Sequence, residues 1–175
     1  MMLILLTGGS ACGKSTYGEK LAVQGPKPLY YIAAMQPYDD ECLKKIARHR
    51  ALRWDKGFET IERYTAVDTL ELPKTGGTAL LECLCNLTAN EMYIQPEAPV
   101  DPVEKVVAGV SNLKRQTDTL IVITNDVGSD NEKYSEETWR YIHALGEINA
   151  RVADMADQVY ELVAGIPICL KGEKA

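Results

Sequence analysis

The chain has 175 residues, of which 46% are hydrophobic and 25% are charged, as expected for one globular domain with a full core. Its net charge of −6 argues against a basic surface that coats nucleic acid or an anionic membrane. Five cysteines without a C-x-x-C pair indicate neither a disulfide framework nor a zinc site. No apolar run is long enough for a signal h-region or a membrane span. We therefore expect one cytoplasmic domain over residues 1–175, with no nucleic-acid partner and no membrane insertion.

Strands and helices are predicted to alternate along the chain. Short apolar runs predict strands, and apolar residues three or four positions apart predict helices. The predicted strands cover residues 3–7, 29–33, 58–62, 78–82, 119–124, 158–164 and 166–170, and the predicted helices cover 14–23, 41–52, a segment ending at 90, 103–116 and 135–157. Apolar strands that alternate with helices are typical of a mostly parallel sheet with helices on both faces.

Two details of the helices are also predicted. Asp39 or Asp40 is expected to cap the helix that starts at residue 41. The inward positions of the last long helix are predicted to be Trp139, Ile142, Leu145, Ile148 and Val152.

A phosphate-binding loop follows the first strand and precedes the first helix. Its residues read G-x-x-x-x-G-K-[ST], and they are Gly8, Gly9, Ser10, Ala11, Cys12, Gly13, Lys14 and Ser15. Backbone N–H groups and the helix N-terminus would surround phosphates, Lys14 would reach the outer phosphates, and the Ser15 hydroxyl would ligate Mg²⁺. Together with the alternating elements, this loop predicts an α/β fold of the P-loop NTPase type that binds a nucleoside triphosphate.

A basic cluster lies in residues 44–56, where six of the nineteen Lys and Arg residues fall within thirteen positions. On a helix, Lys45, His49 and Arg53 are four apart and share one face. Neighbouring cations disfavour an imidazolium, so His49 is expected to be neutral and able to act as nucleophile or base. The alternative is a solvated basic helix face with an incidental histidine, and the charge pattern alone does not decide between them.

Two carboxylates are candidates for the Mg²⁺ site. Glu82 ends one apolar strand and Asp126 follows another, so either could hold the metal through water opposite Ser15. Glu82 is preferred over Asp126, although an acid at the end of a strand is often a helix cap or a solvent-facing turn residue. His143, in the long helix, is expected to be a surface or packing residue.

The ordered set of motifs resembles one family along nearly the whole chain. The residues that carry the resemblance are Leu6 to Ser10 with Gly13-Lys14-Ser15, Tyr31 to Ala34, Asp40-Glu41 with Ile46, His49-Arg50 and Arg53, Thr60 and Glu62, Leu80 to Leu84 with Asn90, Thr124 to Gly128, Arg140, Gly146, Asn149, Asp157, Val163 to Pro167 and Lys171. The chain resembles the bifunctional adenosylcobinamide kinase / adenosylcobinamide-phosphate guanylyltransferase family of cobalamin biosynthesis.

The resemblance implies roles for individual residues. His49 matches the histidine that attacks the α-phosphate of GTP and carries GMP. The nucleotide site would comprise the phosphate loop with Ala34, Met35, Gln36, Ala51, Leu52, Arg53, Trp54, Glu62 and Glu82. A carboxylate can accept from the N1–H and exocyclic amine of guanine, so Glu62 or Glu82 could read the base, and the sequence leaves the choice open.

The implied function is a two-step transfer in a homotrimer. A nucleoside triphosphate, ATP or GTP, would phosphorylate adenosylcobinamide with Mg²⁺, and His49 would then pass GMP to the product. The chain departs from the family at Phe58, where a tryptophan is usual, and in its polar segment 129–134. Trp139 is expected in the core rather than against the corrin ring. The alternatives are a monofunctional small-molecule kinase and a GTP-binding regulatory module.

Overall fold

The structure is a computed structural model that describes residues 1–95, 98–128 and 133–172, without the side chains of Lys45 and Leu52. Its strands are β1 Met2–Thr7, β2 Leu29–Ala33, β3 Phe58–Glu62, β4 Thr78–Leu81, β5 Thr119–Ile123, β6 Gln158–Val163 and β7 Ile166–Lys171. Its α-helices are α1 Lys14–Gln24, α2 Asp40–Arg53, α3 Leu84–Met92, α4 Val103–Gln116 and α5 Glu136–Met155. A short 3₁₀ turn at Val67–Thr69 was not predicted.

All seven strands form one sheet in the order β3-β2-β4-β5-β1-β6-β7. The pairs are parallel except for β6 with β7, which is antiparallel. Because β2, β3, β4, β5 and β1 run the same way, the segments that follow them meet at one edge of the sheet, which we call the carboxyl edge. The predicted fold class, a mostly parallel sheet with helices, is confirmed.

The two faces of the sheet are covered by different helices. Along β1, Leu3 and Leu5 point into a core shared with α3, α4 and α5, whereas Ile4 and Leu6 point into a second core against α1. Successive side chains of a strand face opposite sides, so an uninterrupted apolar run is needed when both sides are covered. Gly18 lets α1 approach closely, since a Cβ there would lie 3.1 Å from Leu6.

Helix α2 differs from the other helices because few of its side chains are buried. Asp39 is its N-cap, and the Asp39 carboxylate accepts a hydrogen bond from the Cys42 amide at 2.7 Å. Arg53, in the last turn, is buried with 6% of its surface exposed. Polar contacts of the last turns therefore attach α2 to the sheet.

The prediction for the inward face of α5 is wrong at one position. Ile142, Leu145, Ile148 and Val152 are buried as predicted, but Trp139 is 39% exposed. Trp139 lies in the first turn of α5, where its ring contacts Tyr134 and His143. None of the described helices combines the length and the apolar character that crossing a membrane requires.

Candidate active site

The phosphate loop joins β1 to α1 at the carboxyl edge. Gly13 is the N-cap of α1 in the left-handed conformation, with φ of 101°, and Gly8 also has a positive φ of 134°. A side chain at Gly8 would meet the Leu162 carbonyl oxygen at 2.6 Å. Glycine is required at both positions because an L side chain is strained at such angles. The backbone therefore turns around a space that opens toward the N-terminus of α1.

Lys14 is buried inside this loop. Its ammonium donates to the carbonyl oxygens of Gly8 at 2.8 Å and of Gly9 at 2.5 Å, and it lies 3.4 Å from the Cys12 sulfur. Only 6% of the residue surface is exposed. The loop carbonyls thus hold a full positive charge where the phosphates of a nucleotide would arrive, as the motif predicts.

The turn between β6 and β7 supports the loop from the side. The Gly165 amide donates to the Cys12 carbonyl at 2.9 Å, and a Cβ at Gly13 would lie 3.2 Å from the Gly165 Cα. This contact was not predicted, since the sequence places the two segments about 150 residues apart and gives no local signal for their pairing.

His49 lies on α2 over the end of β4 and contacts a carboxylate. Its Nδ1 is 3.2 Å from Glu82 Oε1, and the His49 and Glu82 side chains are 22% and 7% exposed. An ionised carboxylate only accepts hydrogen bonds, so in the neutral tautomer that faces Glu82 with Nδ1–H the lone pair lies on Nε2. The sequence named only cations as neighbours of His49, and the fold adds a carboxylate from another strand to the ring. The side chain of Lys45 lies outside the described residues.

Tyr31 and Arg53 form the floor beneath His49. The Tyr31 hydroxyl lies 3.4 Å from His49 Nδ1, and the Arg53 guanidinium stacks 3.8 Å from the centre of the Tyr31 ring. Burial, together with the charge of Glu82, raises the pKa of Tyr31, so its hydroxyl stays protonated. Sequence reasoning missed Tyr31 as a site residue, although a hydroxyl within an apolar strand needs a polar partner.

A second carboxylate lies at the end of β3, which is separated from β4 by β2. Glu62 forms an ion pair with Arg50 of α2, and the Tyr64 hydroxyl donates to Glu62 at 3.1 Å. Arg50, Glu62, Tyr64 and Glu82 line one small pocket together with Met35. The two glutamates that the sequence singled out are thus brought together, and α2 covers both.

An ion pair connects the end of α2, the helix that carries His49, to α1, the helix that follows the phosphate loop. Lys56, just beyond α2, donates to Glu19 of α1 at 2.6 Å, and the Glu19 side chain is 3% exposed. Lys56 belongs to the basic cluster of residues 44–56, although no role was predicted for it, and Glu19 was not predicted to belong to the site. The pair fixes the end of α2 to the helix that begins at the phosphate loop.

The two metal-site candidates occupy different places. Asp126 follows β5, the strand beside β1, and its amide donates to the Gly8 carbonyl at 3.3 Å. Glu82 follows β4, one strand further away, and contacts His49. Among the described residues, no three metal-binding side chains of the His, Cys, Asp and Glu types come together. A site of this kind would therefore rely on few protein ligands.

The other predicted nucleotide residues follow β2 or lie at the end of α2, where Arg53 contacts the middle of β2 and β3. Ala34, Met35 and Gln36 follow β2, while Ala51, Leu52, Arg53 and Trp54 end α2 or follow it. Trp54 is 89% exposed, and the Leu52 side chain lies outside the described residues. His143 is exposed on α5, as predicted. Met35 therefore reaches the small pocket, whereas Trp54 does not contribute to it.

The sheet topology and the phosphate loop define a nucleotide-binding protein of the P-loop class. A profile of the family described as cobinamide kinase / cobinamide phosphate guanyltransferase matches residues 4–170, and the chain belongs to this family. The expected family resemblance is confirmed.

The sequences of individual relatives align with this chain over nearly its full length. The chain is 30% identical over 171 residues to the bifunctional adenosylcobalamin biosynthesis protein CobP of Pseudomonas aeruginosa, covering 97% of each chain. It is 28% identical over 185 residues to CobU of Salmonella typhimurium, covering 97% of this chain and 100% of the relative. The flagellar accessory protein FlaH from Methanocaldococcus jannaschii has a similar fold, with a TM-score of 0.54 over 98% of this chain and 79% of FlaH at 14% identity.

Proposed function

We propose that this protein phosphorylates adenosylcobinamide with a nucleoside triphosphate and then transfers GMP from GTP to the phosphate, with His49 as the carrier. The observation that carries this proposal is the contact of His49 Nδ1 with Glu82 at the same sheet edge as the phosphate loop. The family match over residues 4–170 supports the choice of a corrinoid acceptor.

In the guanylyl transfer, the Nε2 lone pair of His49 attacks the α-phosphorus of GTP. A P–N bond forms, the bond from the α-phosphorus to the bridging oxygen breaks, and pyrophosphate leaves. The ring then carries a positive charge, which the Glu82 carboxylate at Nδ1 stabilises. An oxygen of cobinamide phosphate next attacks the same phosphorus, and His49 departs with its lone pair restored.

Base recognition is assigned to Glu62 rather than to Glu82. The Glu82 carboxylate is engaged by His49, whereas the Glu62 side chain is 45% exposed and its partner Arg50 is 57% exposed. An exposed arginine can move away at small cost, because surface ion pairs contribute about 1 kcal/mol or less. Glu62 would then accept from the N1–H and amino group of guanine.

Mg²⁺ fits the oxygen donors beside the phosphate loop. Ser15 lies in the first turn of α1, and Asp126 is an exposed residue whose amide donates to the Gly8 carbonyl. Mg²⁺ is usually bound by one or two protein oxygens together with phosphates and water. We assign the carboxylate role to Asp126 in preference to Glu82, because Asp126 lies beside the loop. When bound there, the metal would neutralise charge on the outer phosphates.

In the kinase step, Lys14 would leave its carbonyl partners and bind the outer phosphates of ATP or GTP. The transferred γ-phosphoryl group would pass to the aminopropanol hydroxyl of the corrinoid, and the diphosphate would stay in the loop. Both transfers thus use one phosphate site.

Labelling with GTP tests the proposal. With Mg²⁺ and α-labelled GTP, the denatured chain should retain GMP through an acid-labile, base-stable bond, and γ-labelled GTP should leave no label. His49→Ala should lose the label and keep the fold and some kinase activity. His143→Ala, which changes the other histidine of the chain, is the matched control and should label normally.

The two alternative functions predict different results. A monofunctional kinase would phosphorylate cobinamide without ever carrying GMP, and a regulatory module would bind GTP reversibly and do neither. Label that persists in His49→Ala would refute the assignment of the nucleophile.

The assembly and location follow from the family resemblance and the composition. We propose a homotrimer, which light scattering on the purified protein tests. All five cysteines are free, which supports a cytoplasmic location.

A further inference from the structure

A groove of about 960 Å³ lies on the helical face of the sheet that carries α3, α4 and α5. Val100, Val127, Trp139 and His143 contribute to its walls. Its volume is at the upper end of the range of about 300–1,000 Å³ usual for small-molecule sites. None of these residues takes part in the nucleotide chemistry described above, so the groove is separate from the nucleotide site.

Trp139 and His143 line one wall of the groove, and Tyr134 packs against Trp139. The Trp139 ring lies 5.7 Å from the Tyr134 ring at 86° and 5.8 Å from the His143 ring at 39°. Its two neighbours fix the orientation of the indole, while 39% of Trp139 is exposed to the groove and to solvent. A large flat ring held open in this way is suited to contact with another planar group.

The groove borders the segment that contacts the phosphate loop. Val127, in its wall, directly follows Asp126, whose amide donates to the Gly8 carbonyl at 3.3 Å. A molecule in the groove would therefore have one end near this segment and the loop it contacts. The acceptor of the kinase step must approach from such a position.

The charge of the groove matches a cation. Asp101, Glu136 and Glu147 contribute carboxylates to its lining. Arg140, also in the lining, pairs with Glu136 at 3.0 Å, and Arg151, outside the lining, lies 3.9 Å from Glu147. A cobalt(III) corrin ring carries a net positive charge, so the surplus of carboxylates would attract it.

We propose that this groove binds the corrin macrocycle of the acceptor, with Trp139 packed against the ring. The inference rests on the proposed function for the identity of the acceptor. The occupant of the groove is a bulky, cationic, planar corrinoid. Its reactive side chain points toward Asp126 and the phosphate loop.

Two quantities are measured on the same protein samples. Cobinamide affinity is determined by equilibrium dialysis with detection of the visible absorbance of the corrin. GMP labelling is measured with α-labelled GTP. Trp139→Ala should weaken cobinamide binding about 10-fold, which corresponds to about 1.4 kcal/mol of lost aromatic contact. Its KM for cobinamide should rise without change in its KM for ATP, and Trp139→Phe should restore most of the affinity. Leu170→Ala, which removes another exposed apolar side chain at the far edge of the sheet, is the control and should bind normally.

A second pair of variants tests the groove without altering Trp139. Val100→Lys adds a cation at a position that is 49% exposed and should also weaken binding. Glu147→Gln should reduce the affinity and its dependence on salt.

The outcomes separate this inference from the proposed function. Normal cobinamide affinity in both Trp139→Ala and Val100→Lys, with GMP labelling intact, would overturn the groove assignment and leave the function standing. A change of oligomeric state in Trp139→Ala without loss of affinity would also overturn it, because the groove would then be a contact between copies of the chain. A wild-type chain that binds cobinamide through Trp139 but never carries GMP would support the groove and refute the transferase function.

Discussion

Replacing Lys56 with alanine is expected to destabilise the chain by removing the cation that the structure pairs with Glu19. The Lys56 Nζ lies 2.6 Å from Glu19 Oε2, and the Glu19 side chain is 3% exposed. Without Lys56, a carboxylate would be buried beneath the site without this partner. Leaving one member of a buried pair in place is costly because its charge has lost water and gained no compensation.

The magnitude follows from the exposure of each partner. Removing one partner of a fully buried pair costs about 3–5 kcal/mol. The Lys56 side chain is 32% exposed, so water can reach the vacated space and the cost should be nearer 2–3 kcal/mol. For a chain of this size, that corresponds to a fall in Tm of about 5–10 °C.

Urea and thermal unfolding followed by circular dichroism measure this difference. Arg140→Ala is the control, since its pair with Glu136 has side chains that are 60% and 85% exposed, and an ion pair that water surrounds in this way should contribute little to stability. Adding Glu19→Gln to Lys56→Ala should recover part of the loss, because the buried charge is then gone. Two results would show that the reasoning about an uncompensated charge is wrong. One is a free energy of unfolding for Lys56→Ala that equals that of Arg140→Ala. The other is a double variant, Lys56→Ala with Glu19→Gln, that is less stable than Lys56→Ala.

Three further predictions concern the site and the response to pH. Lys14→Ala should abolish both transfers, with a penalty of at least about 2–4 kcal/mol in the transition state, because they share one phosphate site; loss of a single activity in steady-state assays would indicate two nucleotide sites. In labelling assays with GTP and ATP, Glu62→Gln should reduce the preference for GTP, whereas Glu82→Gln should slow labelling and keep the preference; the opposite pattern would exchange the two roles. The Leu3 amide donates to Asp157 at 2.7 Å and lowers the pKa of that carboxylate. The free energy of unfolding of the natural chain minus that of Asp157→Asn should therefore be constant above about pH 5 and should fall as the pH drops through and below about 4. A difference that grows in acid would contradict this expectation.

The sequence alone determined the parts of this protein that depend on neighbouring residues. The phosphate loop from Gly8 to Ser15 is one continuous motif, and glycines at its two bends set its conformation whatever lies around it. The strands were predicted because burial on both faces demands an uninterrupted apolar run, as in β1. The Asp39 cap was one of two predicted alternatives, and the structure selects it.

The tertiary structure alone decided which distant groups meet. The charge pattern around His49 indicated only cations, because Glu82 is 33 positions away in the chain and reaches the ring through the order of β2, β4 and β5. The same reason explains Trp139, whose helical spacing predicted a buried position. Periodicity reports which face of a helix turns inward but not whether every turn of that face is covered, and Trp139 lies on the wall of the groove.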